Sequence, residues 1–284
     1  MILDPMREQL INLAQRLQPK GIKLIVGGGY GLILKTEYIV KNKWQTRFPD
    51  LPEARSTNDI DIFLSTEIIT DTTKSETIRD ALADLGFVPV ANYFQFEVAL
   101  GHLKVKIDLL AAPVPEAQRK LVQIKKPRIR PKSATNIHGF LTEEAITLEE
   151  GLVSFNLADE ANPLEVFLPH PFTYLTLKLF ALRDRLEDER KDFGAYHAFD
   201  IYRVIAMLTE LEWGQALRLR DQFAAAYVMQ DARKIVGELF SSAEATGILR
   251  IRQHARKTDT AISADHIESL IADLNELFPK NIDD

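Results

Sequence analysis

The segment Asp59-Ile-Asp-Ile-Phe-Leu64 constrains this chain more than any other, because its alternation suits a strand and defeats a helix. Asp59, Asp61 and Phe63 fall on one side, and Ile60, Ile62 and Leu64 on the other. The aliphatic side calls for a core. The acidic side then lies at the margin of that core, where a carboxylate has to be paired or ligated if it is buried. A second segment, His102 to Leu110, sorts in the same way: Lys104, Lys106 and Asp108 share one face, and Leu103, Val105, Ile107 and Leu109 the other. If the two strands are neighbours, three carboxylates share one sheet face.

The rest of the N-terminal half reads as the surroundings of such a sheet. Residues 6 to 18 carry apolar residues at helical spacing, stopped by Pro19-Lys-Gly21. Ile22 to Val26 predicts a strand, Gly27-Gly28-Gly29 a tight turn, and Tyr30 to Val40 a helix. Lys41 to Asn58, with Pro49 and Pro52, predicts an irregular connection that delivers Arg55 close to the acidic strand. A helix over Lys74 to Leu85 ends at Gly86, and strands follow over Phe87 to Ala91, Tyr93 to Leu100 and His102 to Leu110, with a hairpin turn at Gly101-His102. From about residue 165 the pattern turns helical, with helices expected over Pro171 to Glu189 and His197 to Leu211 and further ones between 214 and 275. The fold class expected is α+β: a mixed-sheet core over residues 1–140, then a mainly α-helical domain over 141–284 that closes a cleft, the boundary lying between 112 and 165.

With 284 residues the chain can bury a substantial core without staples, and it has no Cys for disulfides or thiolate ligands. No apolar run reaches the roughly 18 residues of a membrane span, and the first residues lack the layout of a secretory signal, so a soluble cytoplasmic protein without a membrane partner is expected. The formal net charge of -6 argues against a polycation, with one local exception. Residues 119 to 132 carry seven Lys and Arg and no acid. They predict either an edge that attracts phosphate or a solvated edge strand whose charges discourage pairing.

Three carboxylates without Cys or clustered His form a hard oxygen donor set, suited to Mg2+, with Mn2+ as the alternative, rather than zinc. Glycines 27 to 29, at the start of a helix, would let backbone N–H groups approach phosphate oxygens, though no Walker lysine follows them. Each residue alone has a plainer reading: Asp59 as a strand-end acceptor, Asp108 in an ion pair with Lys104 or Lys106, the glycines as a packing turn. The six histidines show no ligand spacing.

Taken together, Val26-Gly27-Gly28, Arg55-Ser-Thr57-Asn-Asp59-Ile-Asp61 and Asp108 resemble the nucleotidyltransferase superfamily related to DNA polymerase beta, and more narrowly its AbiEii-like toxin and abortive-infection group. Lys178, Lys191-Asp192 and Asp200-Ile-Tyr202 match the helical half of that group more loosely. The resemblance implies transfer of a nucleoside monophosphate from a nucleoside triphosphate to a hydroxyl acceptor such as RNA, tRNA or protein, with a cognate antitoxin as a further partner. It implies Asp59 and Asp61 on the triphosphate-side metal, Asp108 on the metal that activates the hydroxyl, and Gly27, Gly28, Arg55, Thr57, Lys178, Lys191 and Asp192 around the nucleotide. One departure stands out. Gly28 occupies the place of the group's phosphate-contacting serine, which leaves open a decayed nucleotide-binding protein, and an aminoglycoside-type small-molecule nucleotidyltransferase is the third reading.

Overall fold

A computed structural model describes residues 4–53, 57, 59–133, 136–158 and 161–280. By compactness the chain divides into two units, Met1–Tyr38 with Ala54–Pro169 and Ile39–Glu53 with His170–Asp284. The architecture is α+β, a mixed sheet followed by a helix-rich C-terminal region.

The first unit opens with α1 (Pro5–Leu17), begun by Asp4, whose carboxylate accepts the Met6 N–H, and by Pro5, which lacks a donor where a helix cannot satisfy one. There follow β1 (Ile25–Val26), α2 (Gly28–Asn42), β2 (Asp59–Leu64), α3 (Thr66–Thr70), α4 (Thr72–Asp84), β3 (Val88–Ala91), β4 (Gln95–Leu100) and β5 (Leu103–Ala111). The sheet is completed by β6 (Val122–Lys125), β7 (Arg128–Pro131), β8 (Gly139–Leu141), β9 (Val153–Asn156) and β10 (Glu165–Leu168). The strand expected over Ile22 to Val26 is only Ile25–Val26. The Ile22 N–H is spent on the Leu17 carbonyl at the end of α1, at 3.2 Å, and so cannot enter a ladder.

Strand order is β6-β7-β8-β5-β2-β1-β10-β9, with β4 joining β5 and β3 joining β4. β5 organises the sheet. Its partner on one edge is β2, parallel, over 106 to 111; on the other it pairs with β4 over 103 to 108 and with β8 at Leu110 and Ala111. Ile60, Ile62, Leu64, Val105, Ile107 and Leu109 face a single buried cluster with Leu10, Leu13 and Leu17 of α1 and Ile78 and Leu82 of α4. Each such side chain contributes about 1.5–3 kcal/mol by leaving water. That burial fixes the register, because a slip by one residue would drive the aspartates into the cluster. The basic segment forms the β6–β7 hairpin at the end of the sheet.

The second unit holds α5 (Pro171–Arg183), α6 (Ala195–Ala206), α7 (Glu210–Gln222), α8 (Tyr227–Leu239), α9 (Thr246–Lys257) and α10 (Ala264–Leu277). The helix expected to reach Glu189 stops at Arg183, and the short turn Glu189–Gly194 then places Asp192, Phe193 and Gly194 at positive φ, a conformation that no right-handed helix can pass through. The helix expected to reach Leu211 ends at Ala206. Thr209 and Glu212 build a capping box there, which starts α7 instead. Among the described residues no helix is long and apolar enough to cross a membrane.

Candidate functional site

The register of β2 on β5 sets Asp61 directly across from Asp108 and Asp59 across from Lys106. Bridge partners in a sheet share a face, so Asp59, Asp61 and Asp108 stand on the side opposite the aliphatic cluster, all three half-buried. The hairpin adds Gln95, whose Nε2 donates to Asp108 Oδ1 at 2.8 Å. Thr57, buried just before β2, donates its hydroxyl to Asp59 Oδ1. Lys104 is engaged by Glu97 at 2.7 Å rather than by Asp108. Gln95 was legible in principle, because counting outward from the two-residue turn Gly101-His102 pairs it with Asp108.

The glycine turn closes over this face. Gly27 donates its N–H to the Asp61 carbonyl at 2.8 Å, and a Cβ on Gly27 would strike the Phe63 ring at 2.5 Å. Gly28, the first residue of α2, has φ +59, and a Cβ there would stand 1.6 Å from Asp61 Oδ2. This contact explains why position 28 carries no serine: any side chain would take the space of the Asp61 carboxylate. Gly28→Ala is therefore expected to cost about 1–2 kcal/mol from backbone conformation alone and to displace Asp61. Thermal melting checks this; a variant that melts with the parent would show that the Gly28–Asp61 contact imposes nothing.

Electrostatics single out Asp108. Burial pushes its carboxyl above the ordinary carboxylate range and the charge of Asp59 adds to this, while the Gln95 hydrogen bond and Lys106 oppose it. A raised carboxyl pKa means that the fold disfavours the ionised form. Stability from this group is full below its unfolded pKa and is lost as pH rises through the higher folded value. Asp108→Asn keeps an oxygen for Gln95 and removes the charge. It is expected to melt above the parent at neutral pH, the gain vanishing once pH falls below about 3.9, where the carboxyl is protonated in either state. Melting curves across that range test the sign.

In the second unit, Lys178 on α5 is buried, with Nζ 2.8 Å from Asp200 Oδ2; Arg203 Nη1, one turn along α6, lies 3.5 Å from Asp200 Oδ1. The sequence offered Asp200 only as a loose motif match, and its role in holding two cations emerges from the packing of α5 on α6. Lys191 lies in the Glu189–Gly194 turn, and Asp192 is bound by Lys257 at 2.5 Å and by Gln253 at 2.9 Å. An open cleft of about 540 Å3 in this unit, between Asp50–Glu53 and Thr258–His266, is lined, among the described residues, by none of the expected site residues. Arg55 lies outside the described residues.

Asp59, Asp61 and Asp108 thus share one face with a backbone turn against them, whereas Lys178, Lys191 and Asp192 belong to the other unit. Among the described residues no three His, Cys, Asp or Glu side chains are gathered as a metal-holding group. The donor chemistry nonetheless fits a hard divalent cation: carboxylates only, with Asp108 feeling the charge of Asp59. Comparison with protein-family models, curated proteins and solved structures gave no match.

Proposed function

We propose that the acidic face of the first unit transfers a nucleoside monophosphate from a nucleoside triphosphate to a hydroxyl acceptor. The observation that carries this reading is the placement of Asp61 opposite Asp108 in adjacent parallel strands with Gly28 pressed onto the Asp61 carboxylate. The resemblance to AbiEii-like nucleotidyltransferases in the Gly27-Gly28, Thr57-Asn-Asp59-Ile-Asp61 and Asp108 segments supports it.

In this reading Asp59, Asp61 and Asp108 hold magnesium, which when bound neutralises triphosphate charge and activates the hydroxyl. The acceptor oxygen bonds to the α-phosphorus, the bond from that phosphorus to the bridging oxygen breaks, and pyrophosphate leaves. The hydroxyl proton would pass to Asp108, the carboxylate on the acceptor side of the face. Gly27 and Gly28 let the turn lie close against Phe63 and the Asp61 carboxylate. Arg55 and Thr57 are assigned to the nucleotide within the same proposal.

The test is incubation with each of the four labelled ribonucleoside triphosphates and Mg2+ in the presence of total RNA and total protein. Label entering either polymer with release of pyrophosphate is the expected result. Tight nucleotide binding without pyrophosphate release would replace this reading with that of a nucleotide-binding regulator.

A further inference from the structure

The ladder registers link the acidic face to the basic hairpin. Asp108 and Leu110 lie two residues apart on one side of β5; Leu110 pairs with Phe140 of β8, Phe140 with Arg128 of β7, and Arg128 with Lys125 of β6. Gln123 and Arg130 form the next pair on that side of the hairpin. Because bridge partners share a face, Lys125, Arg128, Arg130 and Phe140 stand on the same side of one continuous sheet as Asp59, Asp61 and Asp108. Three strand spacings, about 15 Å, separate β5 from β6.

The surface so formed is cationic and aromatic. Phe140 is 37% exposed, with its ring 5.5 Å from Phe94, and Tyr93, 38% exposed, meets His138 edge to face at 5.7 Å. Arg128 bonds the neutral Asn92 side chain at 3.3 Å, and Arg130 bonds Gln123 and the Ser133 carbonyl. Among the described residues none of Lys125, Arg128 and Arg130 is ion-paired with a carboxylate. Burial and the charges of Arg130 and Arg128 hold His138 below the usual imidazole range, although the backbone at Asn92 partly offsets them, so its ring adds a neutral flat surface rather than another charge. Edge protection alone would need only charge. An exposed phenylalanine in register with the arginine is instead what a stacked base and its phosphate require.

We propose that the face of β6, β7 and β8 binds a single-stranded polynucleotide, with phosphates on Lys125, Arg128 and Arg130 and a base on Phe140. Resting on the transfer reading above, this strand is the acceptor, laid across the sheet toward Asp108.

The experiment measures binding of a fluorescent single-stranded RNA of about 12 nucleotides by anisotropy over a range of salt. The parent should bind, with affinity falling as salt rises. The double substitution Lys125→Ser with Arg128→Ser should reduce the slope of log affinity against log salt by about 1.4. Phe140→Ser should weaken binding roughly tenfold and leave the slope alone, a pattern that general loss of fold would not give. No binding at low salt, binding indifferent to all three positions, or equal displacement by polyglutamate, the mark of a surface for acidic protein, would overturn the proposal. Label entering protein while RNA fails to bind overturns it and leaves the transfer reading standing. RNA bound through these residues with no transfer to any acceptor upholds the strip and overturns the transfer reading.

Discussion

Asp61→Asn is expected to lower nucleotide incorporation by at least about a thousandfold, roughly 4 kcal/mol of lost stabilisation in the transition state, while its melting temperature stays close to that of the parent. The substitution isolates charge. Asparagine has nearly the shape of aspartate, so the clearance that Gly28 leaves for the side chain is still filled, and the bond from the Gly27 N–H uses the main-chain carbonyl of residue 61. Position 61 stands in the middle of the acidic face, directly across from Asp108 and two residues beyond Asp59 on the same strand. Its immediate neighbours Ile60 and Ile62 point into the aliphatic cluster, so from that strand only Asp59 shares the face with it. Incorporation within about tenfold of the parent would mean that the face is not where phosphoryl charge develops, and the proposed function would fall with it.

How much of this could be read beforehand follows from the range of each interaction. The period-two alternation around Asp59 and Asp61 is local, and it placed both acids on one face. The β4–β5 hairpin is also local. What the sequence could state only as a condition was that β2 and β5 are neighbours, since that parallel pairing joins segments separated by two helices and two strands. The aliphatic faces of both strands settle it by sharing one cluster with α1 and α4. The Gly28–Asp61 contact was invisible for another reason: three glycines announce a permissive backbone but not what presses on it. In the helical region, α5 is buried on nearly every side, so the apolar residues that read as a stripe did not locate its end at Arg183. Nor does anything in Lys191-Asp-Phe-Gly194 mark Asp192 and Phe193 for positive φ, a conformation that the packing around them has to impose.

The buried charges of the second unit give the largest expected effect on stability. Asp200 has no exposed side-chain surface and accepts two cations, Lys178 at 2.8 Å and Arg203 at 3.5 Å, both themselves buried. Asp200→Ala would leave two positive charges out of water with their shared counter-charge gone, a change that costs about 3–5 kcal/mol. For a helical unit of this size that corresponds to a melting transition lower by roughly 10–20 °C. Lys178→Met should cost much less, because Asp200 and Arg203 remain as a pair and the methionine fills most of the lysine stem's volume. The order of the two variants is the decisive quantity, read from the thermal transition followed by far-ultraviolet circular dichroism. If Asp200→Ala melted with the parent, the carboxylate would not be balancing the two cations.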